Sequence, residues 1–235
     1  MEKDLALLQE RLRYQFHNLS LLSTAITHSS FANERTIHPV EDYERLEFLG
    51  DAVLEVCSSE YLYKKYTGKQ EGWLTRRRAS LVNEKALALC ARKLELQEFI
   101  RFGKGERETG KAKDSIVADV SEAIIGAIYL DGGFEEAKSF VSWFVLAHEE
   151  EHVTFVDAKT ILQETIQGHF QQDISYRLVS QFGPDHRKTF VMQVLLGEEV
   201  LGEGEGHSKK DAEQEAARQA ILRIREKYPK ITIVI

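Results

Sequence analysis

The chain has 235 residues, 43% of them hydrophobic and 29% charged, with two cysteines and a formal net charge of −7. That length suits one large domain or two of moderate size, with the composition of a soluble globular protein. No apolar run approaches the roughly 18 residues that would suggest a membrane span, and the opening Met1-Glu2-Lys3-Asp4 is too acidic for a signal peptide.

The acidic balance holds along the chain. Residues 1–148 carry 20 Lys+Arg against 23 Asp+Glu, and residues 157–235 carry 11 against 12. Any nucleic-acid surface must therefore be a local patch and not a basic domain. Cys57 and Cys90 are too few and too far apart for a disulfide framework and fit free thiols in a reducing cytoplasm.

Leu5, Leu8 and Leu12 lie at helical spacing in a first helix over residues 4–14. A second helix is predicted from Leu19 to Ile26, with Ser20 as its N-cap. Thr27-His28-Ser29-Ser30 follows. A polar histidine beside a helix end makes local hydrogen bonds, so His28 reads as structural and not as a catalytic base. Pro39 punctuates the loop before the next helix.

That helix carries the first informative pattern. At 100° per residue, Glu44, Glu47, Asp51 and Glu55 fall within about 80° of one another. Leu46, Leu49, Val53 and Val56 fall opposite, as an ordinary core stripe. Like charges on adjacent turns destabilise a helix, and Arg45 is the only cation between Glu41 and Glu55. The acids are either a solvated face or ligands for a hard divalent cation such as Mg²⁺, which takes oxygen donors. Phe48 projects from the same face, where an aromatic has no place unless a partner surface covers it.

The acidic helix is predicted to run to about Tyr66, stopped by Thr67-Gly68. Trp73 through Cys90 forms the next helix and carries Arg76-Arg77-Arg78, the densest basic cluster. Those arginines read as a solvated face, as a phosphate contact or as salt-bridge partners for the acids. Residues 103–114 read as an exposed loop. Gly103-Lys104-Gly105 lacks both the spacing of a phosphate-binding loop and a preceding strand, which excludes an NTPase.

Ser115 is predicted to cap a helix from Ile116 to Leu130 that is apolar nearly all round, so buried on most sides. Asp119 and Glu122 interrupt it, one turn apart on one face. Unpaired, such carboxylates would cost of order several kcal/mol each. They either share a cation or persist as core acids with shifted pKa. Gly126 allows close helix packing, Asp131-Gly132-Gly133 ends the helix, and a last helix runs from Phe134 to Ala147. Residues 1–148 are thus all-helical.

Residues 149–156, opening with three glutamates, read as a polar linker. A helix from Asp157 to His169 precedes alternating stretches at residues 174–180, 190–194 and 199–202, the last followed by a Gly-rich loop to Ser208. Asp211 to Lys227 is helical, with Ala212, Ala216, Ala220 and Ile224 on one stripe. The uncharged tail from Ile231 to Ile235 is assigned no function.

Two stretches resemble known families. Glu44–Glu55, ERLEFLGDAVLE, is similar to the signature of the ribonuclease III family, which cuts double-stranded RNA, and the resemblance extends over nearly the whole chain. Residues 157–226 resemble the double-stranded-RNA-binding domain, through Lys159–Glu164, Gly183–His186 and Ser208–Glu213 leading to Ala216-Ala217. Ile174 stands where that domain often has proline before its first-strand tyrosine. The resemblance implies a bacterial-type enzyme: an all-α endonuclease domain over 1–148, a linker over 149–156, a small α+β (α-β-β-β-α) RNA-binding domain over 157–226, and a tail over 227–235.

It also implies a cytoplasmic homodimer that processes rRNA and mRNA precursors and leaves 5′-phosphates and short 3′ overhangs. By motif position, Glu47, Asp51, Asp119 and Glu122 are the catalytic acids and the Mg²⁺ ligands, with Mn²⁺ able to substitute. Glu44 and Glu71 line the substrate cleft, and Phe48 plugs a socket on the second subunit. Thr160, Gln163, Glu164 and Gln167, at i, i+3, i+4 and i+7, form one polar face for a minor groove, and His186 enters a second. Ser208, Lys209 and Lys210 sit at a helix N-terminus, where phosphate is favoured. Such a module reads A-form shape and not sequence. The alternative is a catalytically inactive dimer that only binds structured RNA. Relatives of that kind lose acids from the two helices, and all four are present here.

Overall fold

The computed structural model describes residues 4–35, 37, 39–107, 112–150, 158–170, 172–184, 187–229, 231 and 233. The chain divides into two compact units, Met1–Glu149 and Glu150–Ile235. Residues 151–156 of the expected linker lie outside the described residues with Asp157, as do His186 and residues 230, 232, 234 and 235 of the tail.

The first unit is helical. α1 (Leu5–Leu12) starts on Asp4, whose carboxylate accepts the Leu7 N–H at 3.0 Å, and stops where Arg13 turns left-handed. α2 (Leu19–Ala25) is capped by Asn18, whose Oδ1 accepts from the Ser20 N–H, so Ser20 belongs to the first turn and is not the cap. α3 (Ser29–Asn33) is capped by His28. The acidic helix is α4 (Glu44–Lys65).

The single helix expected over 73–90 is two, α5 (Glu71–Val82) and α6 (Glu84–Lys93). Asn83 is extended between them, and its Oδ1 accepts the Ala86 N–H at 3.1 Å, capping α6. A short polar side chain competing for backbone donors is what breaks the run. A 3₁₀ turn at Leu96–Glu98 and the short α7 (Lys104–Arg107) lead to α8 (Asp114–Gly132). α8 begins one residue before Ser115, after an extended Lys113 with no side-chain cap. Gly133, at φ 86°, separates it from α9 (Phe134–Phe144), which ends before a 3₁₀ turn at Leu146–His148.

α8 is the hub, with α2, α4, α6 and α9 packed on it. Its residues from Ile116 to Ile128 are buried except Asp119 and Glu122, which are half-buried. On α4 the buried stripe is Leu46, Gly50, Val53, Leu54, Cys57, Ser58 and Leu62. Val56, placed in the core by the helical wheel, is 54% exposed. The stripe follows the line along which α8 crosses, which the wheel cannot know.

The second unit is a three-stranded antiparallel sheet, in order β1-β2-β3, with its last helix laid on the sheet and its first helix packed against the last. The order is α10 (Ala158–Phe170), β1 (Ile174–Phe182), β2 (Thr189–Leu196), β3 (Glu199–Gly206) and α11 (Lys209–Lys227). A bulge between Leu178 and Ser180 breaks the alternation of β1 and leaves Val179 49% exposed. The Gly204–Gly206 stretch expected as loop is strand. A Cβ on Gly202 or Gly204 would fall 2.3 Å from the backbone of Ala216. These glycines are small so that α11 can lie directly on β3, its Ala212, Ala216 and Ala220 facing the sheet without exposure.

Candidate active site

The site is made by the crossing of α4 and α8, and two glycines set how close the helices come. A Cβ on Gly50 would lie 1.7 Å from the Glu122 carbonyl oxygen, and one on Gly126 would lie 2.3 Å from the Leu46 carbonyl oxygen. The two backbones are in contact. Glu47 and Asp51 of α4 flank one glycine, and Glu122 and Asp119 of α8 lie one and two turns before the other.

Carboxylate oxygens of Glu47, Asp119 and Glu122 all come within 4.8 Å of one another. Each is half-buried. Burial, followed by the charges of Asp51, Glu47 and Asp119, pushes the Glu122 carboxyl up to about 8. Burial also raises Glu47, with help from Asp119, Glu44 and Asp51. Asp119 is raised by burial and by Glu84, against a lowering hydrogen bond from Tyr43. Neighbouring carboxylates thus add to burial in raising Glu47 and Glu122, and a cation among these oxygens would relieve that repulsion. Hard oxygen donors at this spacing suit Mg²⁺ or Mn²⁺. Asp51 is exposed and outside that trio, although its charge reaches Glu47 and Glu122. Glu44 is exposed and acts on Glu47.

A second face of α4 is apolar and open. Phe48 is 81% exposed, Val56 54% and Tyr63 73%. Phe48, Ala52, Val56 and Tyr63 follow i, i+4, i+8 and i+15, one stripe of the helix. A groove of ≈ 540 Å³ borders it, lined by Val56, Leu62, Tyr63, Leu74, Glu71 and Arg78 among others. Glu71 stands in this groove and accepts a hydrogen bond from Thr75 at 2.9 Å. The arginine triplet serves neither the cluster nor one common face. Arg77 is buried on Glu149 and Arg78 pairs with Glu55, both at 2.7 Å, while Arg76 is exposed.

In the second unit, Thr160, Gln163, Glu164 and Gln167 are all exposed along α10, on the face opposite Ile161, Leu162 and Ile166. Ser208 caps α11, its Oγ accepting the Asp211 N–H at 3.1 Å, and Lys209 and Lys210 are exposed in the first turn. Lys159 is tied back to Glu213 of α11 and lies over the Tyr176 ring.

Comparison with known proteins matches this arrangement twice. Residues 18–148 match the model for "Ribonuclease-III-like" proteins, and residues 158–224 match the "Double-stranded RNA binding motif". A ribonuclease 3 from Caldanaerobacter subterraneus is 45% identical over 224 residues, 94% of this chain and 98% of that protein. One from Bacillus licheniformis is 44% identical over 94% of this chain and 90% of its own length. The chain belongs to the ribonuclease III family. Among solved structures, the nuclease domain of ribonuclease III from Campylobacter jejuni has a TM-score of 0.55 at 44% identity, covering 60% of this chain and 95% of that one. That structure concerns flexibility in a region involved in dimer formation.

Four further residues shape the site or its unit without standing out in the sequence. Tyr43, one residue before the acidic helix, donates to Asp119 Oδ2 at 3.3 Å. Glu84, at the start of α6, acts on the charge of Asp119. Gly50 had a readable signal, a glycine inside the core stripe of a long helix, where it costs about 1 kcal/mol against alanine and so needs a packing reason. Glu149 was read as the first linker residue. Instead its side chain is 3% exposed in the first unit, bonded to Lys65, Arg77, Tyr61 and Tyr66 at 2.6–2.9 Å.

Proposed function

We propose that this protein is a Mg²⁺-dependent endoribonuclease that cleaves double-stranded RNA as a homodimer, with Mn²⁺ able to replace Mg²⁺. The observation that carries the reading is the meeting of Glu47, Asp119 and Glu122 from two crossing helices within 4.8 Å. These three would hold the ion, and Asp51, one turn beyond Glu47, supplies the fourth acid. The chemistry such an ion brings is activation of water and neutralisation of charge at the scissile phosphate. The chain's own part is to fix the oxygens on two crossing helices, where burial favours a proton that a bound cation would displace. Glu44, exposed at the mouth of the cluster, lies where substrate approaches.

The dimer reading rests on Phe48, whose exposure wastes roughly 1.5–3 kcal/mol of burial energy in a lone subunit. A two-fold contact would set each Phe48 into the partner's groove beside Val56, Tyr63 and Leu74. It would also bring the partner's groove, with its Glu71, towards the cluster, so that Glu71 lines the cleft of the other subunit. Two such sites cut one strand each and leave 5′-phosphates with short 3′ overhangs. The exposed residues of α10 and the N-terminus of α11 supply duplex affinity by minor-groove and phosphate contacts. rRNA and mRNA precursors are the proposed substrates and the cytoplasm the proposed site of action. Cys57 and Cys90 are buried and form no disulfide, and no described helix is long and apolar enough to cross a membrane.

Incubation of the purified chain with long duplex RNA, with and without Mg²⁺, tests the reading. Cleavage only with Mg²⁺ or Mn²⁺, lost in Asp51→Ala and Glu122→Ala while duplex binding persists, is the expected result. Binding without cleavage under every metal condition would leave an RNA-binding protein and refute the enzyme.

A further inference from the structure

Tyr43 is held in place more completely than the acids beside it. The side chain is 5% exposed, and its hydroxyl lies 3.3 Å from Asp119 Oδ2. Its backbone N–H donates to the Thr27 carbonyl at 3.0 Å. Thr27 is itself pinned, by a parallel bridge to Arg101 and by its own hydroxyl on the Ser23 carbonyl at 2.7 Å. The Arg101 side chain reaches the Ser23 hydroxyl at 2.6 Å. The next residue, His28, packs its ring 5.8 Å from Tyr43 and 5.3 Å from Phe102. Ser30 holds His28 Nδ1 at 2.8 Å and accepts the Gly103 N–H at 3.0 Å. The Thr27–Ser30 motif, which the sequence offered without a role, is therefore a platform under one phenol.

That phenol acts on a carboxylate with a mechanical problem. Asp119 shares a small space with Glu47 and Glu122, and like charges drive it away from them. A donor on one of its oxygens opposes that swing and leaves other lone pairs for a ligand. A lysine or arginine in the same place would do the holding but would also neutralise the cluster and compete with a cation. A neutral hydroxyl on a rigid ring holds without competing.

We propose that Tyr43 is a positioning residue for the metal centre, holding the Asp119 carboxylate in the orientation in which Asp119, Glu47 and Glu122 share one cation. The proposal rests on the metal-dependent reading given above. Partners of metal ligands of this kind commonly govern affinity by 10- to 100-fold. A 3.3 Å contact is longer than the usual O–H···O bond, so the lower end applies.

The test is Tyr43→Phe in the full-length chain, which removes one oxygen and keeps the ring packed. Mn²⁺ binding is followed without RNA, through the paramagnetic signal of the free ion. The Mg²⁺ requirement for duplex cleavage is measured alongside it. The variant is expected to bind Mn²⁺ about 10-fold more weakly and to need correspondingly more Mg²⁺ for half-maximal rate. At saturating Mg²⁺ its kcat should return to within about threefold of the parent, with KM for duplex unchanged, because an outer partner is lost and not a ligand. An unchanged Mn²⁺ isotherm, or a kcat that stays low at every Mg²⁺ concentration, overturns the role. If circular dichroism shows Tyr43→Phe unfolded, Ser30→Ala loosens the platform by freeing His28 Nδ1 and the Gly103 N–H while leaving the His28 ring that acts on Asp119, and the same shift in Mn²⁺ binding decides. A parent protein that binds no Mn²⁺ and cuts no duplex would sink the metal-dependent reading itself. A normal parent with an identical variant sinks only Tyr43.

Discussion

Gly50 and Glu122 touch through their backbones: a Cβ on Gly50 would stand 1.7 Å from the Glu122 carbonyl oxygen. The obstacle is main chain and cannot rotate aside, so any side chain at position 50 must push α4 and α8 apart. Those are the helices whose separation sets the carboxylate cluster. Gly50→Ala is expected to cost about 3 kcal/mol, at the upper end of overpacking effects, and to abolish cleavage even where the protein remains folded. Gly126→Ala, with 2.3 Å to the Leu46 carbonyl oxygen, should behave alike. Gly68, with open space around its Cα, is the control, and Gly68→Ala should leave both properties unchanged. Urea midpoints and duplex cleavage, measured on all three, check the contrast.

The carboxylates were legible in the sequence and the crossing was not. Glu47 and Asp51 stand out because a helical wheel gathers them, and Asp119 and Glu122 because they interrupt an otherwise apolar helix. Both signals are local. Gly50 carries a local mark, a glycine within a helical core stripe, but nothing local says that residue 122 is what comes close, and Glu149 carries no mark of its partners at 61, 65, 66 and 77. The same limit explains β3, whose glycines read as loop until α11 is laid against them. Asn83 was readable in principle, since asparagine favours caps over helix interiors, but the apolar periodicity on either side outweighed it. The fold class survived these errors because the helical and alternating patterns are long.

Glu122 links pH to both stability and metal. Its carboxyl is pushed up to about 8 by burial first and then by Asp51, Glu47 and Asp119. The folded metal-free protein therefore keeps a proton there that the unfolded chain releases near its ordinary value of 4.5. Stability from this group is full below that value and is lost as pH rises towards about 8. Each unit of pKa is about 1.4 kcal/mol, so without metal the melting temperature should fall measurably over this range. Saturating Mg²⁺ should oppose the fall, because it binds the ionised form and gains as protons leave. Glu122→Gln should flatten the metal-free slope. A thermal-melt series against pH, with EDTA or Mg²⁺, reads all three outcomes.

Glu149 closes the nuclease unit. Burial works against its charge, but Lys65, Tyr66 and Arg77 outweigh burial and hold the carboxyl below the usual range. Arg77 is 5% exposed at its side chain, so removing Glu149 leaves a guanidinium buried without its counter-ion. Breaking such a pair costs about 3–5 kcal/mol. Glu149→Ala in the full chain should show a loss of that order by chemical denaturation. A nuclease fragment ending at residue 148 should be correspondingly less stable than one ending at 150. Because the folded pKa is depressed, the stabilisation is present above the ordinary glutamate value and disappears as pH falls through the lowered one. The gap between parent and Glu149→Ala should therefore narrow in acid.

Lys209 and Lys210, exposed in the first turn of α11 behind the Ser208 cap, offer charge where the helix already favours anions. If they meet phosphates, Lys209→Ala and Lys210→Ala should weaken binding of all duplex sequences alike. Each should reduce the slope of log affinity against log salt by about 1. Salt titrations of duplex binding on two unrelated sequences separate this from base reading. A change confined to one sequence would count against phosphate contact.

Phe48 shares α4 with the acids and stands 81% exposed on an apolar stripe with Val56 and Tyr63. No packing within its own unit explains a ring there, and a groove of ≈ 540 Å³ bordering the same stripe offers a place for a second copy's ring. In a two-fold contact the exchange happens twice. Burying two phenyl rings is worth roughly 3–6 kcal/mol together, taking 1.5–3 for each, enough to decide whether subunits pair at micromolar concentration. Phe48→Glu would leave both grooves unfilled and set a carboxylate opposite the partner's Glu55, Glu60 and Glu71, which also line the groove. The variant should shift towards monomer and lose paired cutting, while Phe48→Leu should retain most of both. An exposed residue contributes little to its own subunit, so the circular dichroism spectrum should not change. Sedimentation over a range of concentrations reads the association directly. A Phe48→Glu protein that stays dimeric and cuts both strands would show that the rings do not make the contact.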